Sequence, residues 1–403
     1  MGSIFPLAVT LAIQGITFMA LLTVPAMAPA VAKALGISTA YTGAYLGLGY
    51  VGAMVSSLAG GAAVARWGAI RTSQGGLLIC AAGLVLSCAG SLGALAAGAV
   101  LIGLGYGPIA PAGSHLLVRT TPPGRMSLVF SIKQTGLPLG GMVAGAAVPG
   151  MAASFGWQCP LLALAVCTLF AAVLVQPLRA GMDADRSAAA PLSPGQLLLP
   201  LRFVLERPAL ARLTAISFFF SAVQNSTTAY LAVYFTEVMH YTPVAAGLML
   251  SAAQVGGLGG RIAWGHLSDS PLGPRRVLAA LASAILVLLF ALALLPAGTA
   301  VWVALLLVLL VGACAVGWSG IVVGEVARLA PPGTAGMATG GAMALTFIAV
   351  ITGPPAFGAV SAAVGSYRAG FVLLALPMAA CWCLLARGRG HREEASVAGR
   401  GRR

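Results

Sequence analysis

The chain has 403 residues, of which 59% are hydrophobic and 7% charged, with 53 glycines and a mean hydropathy of +0.98. A soluble domain carries about 25% charged residues, so a chain this poor in charge cannot wet the surface of a globule of its size. Soluble enzymes, disordered chains and nucleic-acid binders are excluded, and the net charge of +14 has to be read by position.

A membrane span takes ~20 apolar residues. In chain order, apolar runs broken by Gly, Pro or charge lie at 7–31, 40–64, 74–91, 93–117, 127–151 and 158–177. A second set follows at 211–236, 243–264, 277–296, 300–324, 336–361 and 368–386. The one long connection, 178–210, holds Arg179, Asp183, Asp185, Arg186, Pro191, Pro194, Pro200, Arg202, Glu206 and Arg207. The expected layout is therefore a six-helix bundle over 1–178, a linker over 179–210, a second bundle over 211–387 and a basic tail over 388–403. Ala26-Met27-Ala28 has the form of a signal-cleavage site, but no Lys or Arg precedes Lys33, so the first segment reads as a retained span. With the N-terminus inside, 18 of the 22 basic residues fall in inner loops or the tail, and only Lys33 and Arg368 fall outside. Basic residues stay on the cytoplasmic side, so both termini are expected there. The seven cysteines lie in apolar runs without metal or disulfide spacing and read as small packing residues.

The two halves repeat. Arg119-Thr-Thr-Pro122-Pro123-Gly124 follows the fourth segment, and Arg328-Leu-Ala-Pro331-Pro332-Gly333 follows the tenth, 209 positions later. Gly61-Ala-Ala-Val-Ala-Arg66-Trp-Gly68-Ala-Ile-Arg71 matches Gly265-His-Leu-Ser-Asp269-Ser-Pro-Leu-Gly273-Pro-Arg275-Arg276, about 204 positions later. A parallel duplication implies two bundles related by an axis along the membrane normal, with a cavity at their interface. On these loops and this layout the chain resembles the major facilitator superfamily of secondary transporters over essentially its whole length. The resemblance implies an all-α integral membrane protein, with twelve transmembrane helices in two pseudo-symmetric six-helix bundles.

The family's loop signature is Gly-x-Leu-x-Asp-Arg-x-Gly-Arg-Arg. Gly265, Leu267, Asp269, Gly273, Arg275 and Arg276 fit it with one extra residue before Gly273. Gly61, Arg66, Gly68 and Arg71 keep a reduced form, in which Ala65 stands where the acid belongs. The resemblance assigns gating to these residues, with Arg119 and Arg328 at the repeated Pro-Pro-Gly loops, and leaves the first-half latch without its acid. Carboxylate–arginine pairs and helix ends suit a gate because they form in one state and break in the other. Gly43, Gly47, Gly136, Gly140 and the cluster Gly256, Gly257, Gly259 and Gly260 suit close helix approach. Gly136-Leu-Pro138-Leu-Gly140-Gly141 partly resembles the family's antiporter signature, with its proline displaced by one position. No Walker-type phosphate loop occurs, so gradients drive any transport.

Two cations lie inside spans, where an ionisable residue is by default a functional candidate. Lys133 follows Arg125 by eight residues, ~12 Å into the membrane. Arg261 precedes Asp269 by eight, so the two are expected at similar depth in the two halves. All eight acidic residues sit in loops, the tail or the last turn of a span. An anion is therefore expected to visit, and a guanidinium fork binds a carboxylate bidentately. Gly260-Arg261-Ile-Ala-Trp-Gly265-His-Leu267 resembles the eighth span of the monocarboxylate and oxalate–formate branches, where the matching arginine binds the substrate carboxylate. Gly257 stands where the animal monocarboxylate transporters carry a proton-coupling aspartate. A Lys133 that exchanges its proton during the cycle gives anion–proton symport, and one held charged favours anion exchange. The structural alternatives are a Lys133 that snorkels to the interface and an Arg261 that joins Asp269 or Glu325 in the gate.

Further candidates for the cavity wall are Gln254, two turns before Arg261, and the polar run Gln224–Thr228 with Asn225, Tyr230 and Tyr234. A discontinuous helix there would offer backbone groups to a ligand. Gln14, Thr17, Tyr45, Tyr50, Gln134 and Trp318 complete the set, and His115 reads as structural near the inner mouth. The expectation is a carrier of a small organic mono- or dicarboxylate by alternating access, coupled to protons or to anion exchange. The alternative is an exporter of lipophilic compounds or a siderophore by proton antiport. No enzymatic chemistry, cofactor or nucleic-acid partner is expected. The setting expected is the lipid bilayer of a bacterial inner membrane, with the protein a monomer.

Overall fold

A computed structural model describes residues 4–37, 41–187 and 198–387. The basic tail at 388–403 and the linker prolines Pro191 and Pro194 lie outside the described residues. The described residues are helical throughout, and none of them forms a strand.

In chain order the helices are α1 (Ile4–Ala26), α2 (Ala28–Leu35), α3 (Tyr41–Trp67), α4 (Ala69–Ser87), α5 (Leu92–Tyr106), α6 (Ile109–Thr120), α7 (Met126–Gln134), α8 (Gly136–Phe155) and α9 (Gln158–Leu174). Two short helices, α10 (Arg179–Met182) and α11 (Leu199–Leu205), lie in the linker. Then come α12 (Pro208–Glu237), α13 (Pro243–Ser268), α14 (Gly273–Ala293), α15 (Val301–Ala315), α16 (Ser319–Leu329), α17 (Ala335–Val364), α18 (Tyr367–Leu373) and α19 (Ala375–Arg387).

Local chemistry explains most boundaries. Ser91, Thr242 and Ser366 each accept a hydrogen bond from the backbone N–H three residues on, which caps α5, α13 and α18. The fifth span breaks at Thr135, between α7 and α8. Pro138 cannot donate to the carbonyl of Gln134 and crowds it, so the ladder opens one turn earlier. The Thr135 hydroxyl then donates to Ile132 O at 2.6 Å. The fourth span breaks at Gly107-Pro108 and the tenth between Val316 and Trp318, so the repeat extends to its irregularities.

Among the described residues, ten helical stretches are long and apolar enough to cross a membrane. The other two expected spans, α12 and α13, have the length, 30 and 26 residues. Gln224–Thr228 dilutes the first, and Gln254, Arg261 and six glycines dilute the second. The discontinuity expected in the seventh span is corrected: α12 is one unbroken helix. It carries no glycine, and no proline after its first residue. Two of its polar side chains turn back on the helix itself, Asn225 Nδ2 donating to Ser221 O at 2.8 Å and Thr228 Oγ1 to Gln224 O at 2.8 Å.

The chain divides into two compact units, one of Met1–Thr214 with Val322–Ile351 and the other of Ala215–Ile321 with Thr352–Arg403. In the first unit, Leu21, Val24, Leu84, Leu95, Ile102 and Leu161 form one apolar core, and Ile13, Ile70, Leu77, Leu116 and Met182 form another. Phe130 and Leu117 pack with Val323 and Ala327 in a third. In the second unit, a Cβ on Gly256, Gly260 or Gly312 would strike the carbonyls of Leu309, Ala313 and Ala253, so α13 and α15 touch backbone to backbone.

Candidate functional site

Lys133 lies in the last turn of α7, just before the Pro138-induced break, and its side chain is fully buried. The ammonium lies over Gly113 of α6, where an added Cβ would come within 2.8 Å of both Cε and Nζ and 3.7 Å of Thr10 Cβ on α1. Among the described residues Lys133 Nζ has no hydrogen-bond partner. Holding a desolvated ammonium without a partner costs several kcal/mol. Next to it, Gln14 Nε2 on α1 donates to Gln134 Oε1 at 2.6 Å, while Gln14 Oε1 has no partner among the described residues. The Ser114 and Ser131 hydroxyls, also buried, are in the same condition. One turn along α1 from Gln14, Phe18 packs at a tilt on Tyr106 (ring centroids 6.0 Å apart), Tyr106 on Phe347 at 6.1 Å and Phe347 on Tyr50 at 5.7 Å. The first unit thus holds one buried cation and several unpartnered buried polar groups, with an aromatic group one turn along α1.

The second unit holds Arg261 on α13, 2% exposed. Its Nε donates to Val316 O at 3.2 Å, a carbonyl freed where α15 gives way to α16. Beyond that break Trp318, also buried, donates Nε1–H to Gln224 Oε1 at 2.9 Å and packs on Phe220. The structure therefore brings Arg261, Trp318 and Gln224 to one helix break. Gln254 is half-buried on α13. Asn225 is satisfied by Ser221 of its own helix. Tyr230 packs on Phe357 with ring centroids 4.7 Å apart, α12 against α17. In the first unit Tyr45 belongs to the apolar core with Leu21 and Leu84, away from the group around Lys133.

The loop glycines take the conformation their signature requires. Gly68 has φ +96 and Gly273 has φ +74, a region that favours glycine. An added Cβ on Gly61 would lie 2.6 Å from Met337 Cα, so α3 and α17 meet at that loop within the first unit. Asp269 closes α13, Arg275 Nε donates to Leu385 O at 2.8 Å, and Arg276 is exposed. Arg328 pairs with Glu325, and Arg71 donates to Gln74.

Three residues without an assigned gating role complete the first loop. Asp183, 2% exposed, accepts from Ile70 N at 2.8 Å and Arg71 N at 3.0 Å, and so caps the start of α4. It fills the place left by Ala65 from 113 positions away from Ile70. Asp185 pairs with Arg119 at 2.6 Å and with His115 Nε2 at 2.7 Å. The one signal in the sequence was that two of only eight acidic residues sit directly after the sixth span.

Known proteins agree with this architecture. The E. coli fucose:proton symporter FucP superposes with a TM-score of 0.77 at 17% identity, covering 96% of this chain and 99% of that one. The human organic anion transporter MFSD10 (TETRAN) superposes with a TM-score of 0.74 at 18% identity, covering 96% of this chain and 100% of that one. Among sequence relatives, an uncharacterised MFS-type transporter of Mycobacterium tuberculosis (strain CDC 1551 / Oshkosh) is 30% identical over 262 residues, 64% of this chain and 56% of its own length. A second, from strain ATCC 25618 / H37Rv, is 32% identical over 193 residues, 47% of this chain and 42% of its own length. The chain thus spans about half the length of the curated relatives it matches. The family profile described as Major Facilitator Superfamily matches residues 7–340. With the helices, the duplicated loops and the fold in agreement, the chain belongs to the Major Facilitator Superfamily.

Proposed function

We propose that the chain is a secondary active transporter of a small organic anion, a mono- or dicarboxylate, moved by alternating access. Arg261 binds the carboxylate, and Lys133 holds the second positive charge that the cycle uses. The observation that carries this reading is the Lys133 ammonium, fully buried and without a hydrogen-bond partner among the described residues. Without a visiting anion its desolvation stays unrepaid, whereas a carboxylate supplies a charge-assisted hydrogen bond. Gln14 and Gln134 orient the anion, and the aromatic group of Phe18, Tyr106, Phe347 and Tyr50 favours an apolar or aromatic body on it. Coupling is to protons or to a counter-anion. The protein works as a monomer in a bacterial inner membrane with both termini cytoplasmic. The aromatic group also favours a second reading, export of lipophilic compounds or a siderophore by proton antiport.

Thermal stability of the purified protein against organic anions and lipophilic cations tests the two readings. A ligand at 100 times its dissociation constant adds about 2.7 kcal/mol. A carboxylate is expected to stabilise the wild type and to lose that effect in Arg261→Gln and in Lys133→Met. Without ligand, Lys133→Met is expected to be the more stable protein by about 2 kcal/mol, because it removes a buried unpaired charge. Stabilisation by cationic or neutral compounds alone would replace the anion reading with the exporter.

A further inference from the structure

The second unit carries a groove beside the loop that follows α13. It lies along α13, α14 and α15, with a volume of about 190 Å³. Trp264, Leu267, Leu272, Leu281 and Cys314 form its walls, and Arg276 is the one charged residue that lines it. The Trp264 indole N–H is spent on Ala313 O at 2.7 Å, so the ring presents carbon to the groove. On α14 the lining residues run from Arg276 and Val277 through Ala280 and Leu281 to Ala284. Eight residues of helix are ~12 Å, so the groove has a cation at one end and an apolar track leading from it. A cavity of about 150 Å³ takes one benzene, so a groove of this volume takes a single short alkyl segment.

The two adjacent arginines differ in availability. Arg275 is held by Leu385 O on α19. Arg276 is exposed and makes no ion pair with a described residue, and the first turn of α14 contains no acid. The groove wall at Leu272 is 45% exposed, and the same two helices carry exposed apolar residues at Ile262 (46%) and Val287 (63%). In a membrane protein such a surface faces lipid.

We infer that this groove binds one anionic phospholipid, with its phosphate on Arg276 and an acyl chain along α14. A guanidinium makes paired hydrogen bonds to phosphate oxygens, and basic pockets between transmembrane helices take anionic headgroups. A zwitterionic lipid brings a second cation to Arg276 and binds less well. The inference rests on the membrane fold and stands whether or not the substrate is an anion.

The test is lipid titration of the full chain in neutral detergent, read by native mass spectrometry and thermal stability. The probes are phosphatidylglycerol, phosphatidylcholine with the same chains, and inorganic phosphate. Phosphatidylglycerol is expected to bind at least tenfold more tightly than phosphatidylcholine. Arg276→Gln should bring that ratio below threefold, and Ala280→Phe, which fills the track, should weaken both lipids. Equal binding of the two lipids by the wild type would overturn the inference. So would a preference that survives Arg276→Gln, or full competition by inorganic phosphate.

Discussion

The loop after the second span and the loop after the eighth descend from one pattern, and each sets a glycine at positive φ, Gly68 at +96 and Gly273 at +74. They differ in where the carboxylate comes from. In the second loop Asp269 is part of the loop itself, at the C-cap of α13, and α14 begins with no side-chain cap. In the first loop the local acid is gone. Asp183 reaches in from beyond the sixth span, is almost fully buried and caps α4 through two backbone N–H groups. A helix N-terminus needs an acceptor within hydrogen-bond reach and a favourable charge near its dipole. It does not need them at a set position in the sequence, so a loop can lose its acid while the fold supplies one.

That difference sets the order of mutational costs. Gly68→Ala should be the most damaging, at about 3 kcal/mol, because it combines backbone strain with displacement of the Asp183 carboxylate, which a Cβ at residue 68 would strike. Thermal denaturation of the purified protein measures it, and a loss below about 1 kcal/mol would mean that the strain is relieved elsewhere. Asp183→Ala comes next, at about 1–2 kcal/mol, the usual cost of a lost cap, enlarged here by burial. Ala65→Asp added to it should restore part of that loss if the family's position can still serve α4. Gly273→Ala should cost about 1 kcal/mol, since nothing lies within 4 Å of its added Cβ and only the backbone preference is lost. If Gly273→Ala matched Gly68→Ala, the contrast between the loops would have to be sought in the backbone alone.

The layout was legible because hydropathy acts locally: ten of the twelve apolar runs read from the sequence are helices long and apolar enough to span. The two that fall short, α12 and α13, carry the polar residues that drew attention as binding candidates. Lys133 and Arg261 were legible as buried cations because any charge inside an apolar run stands out. Tyr45 lies in an apolar core and Tyr230 against Phe357, contacts that no local pattern announces, since a tyrosine serves a core or a cavity equally well. The pairing of Gln14 with Gln134 spans 120 residues, and no local pattern announces it.

By itself, the sequence determined that this is a twelve-segment, duplicated membrane protein, because apolar run length, glycine and proline placement and repeated loops are properties of neighbouring residues. Only the tertiary structure decided that Lys133 rests over Gly113 without a partner, that Arg261 is held at the α15–α16 break, and that Asp183 caps α4. Each of those depends on which helices pack together. In a chain made almost wholly of apolar helices, side-chain polarity identifies the buried charges, and helix packing chooses what they meet.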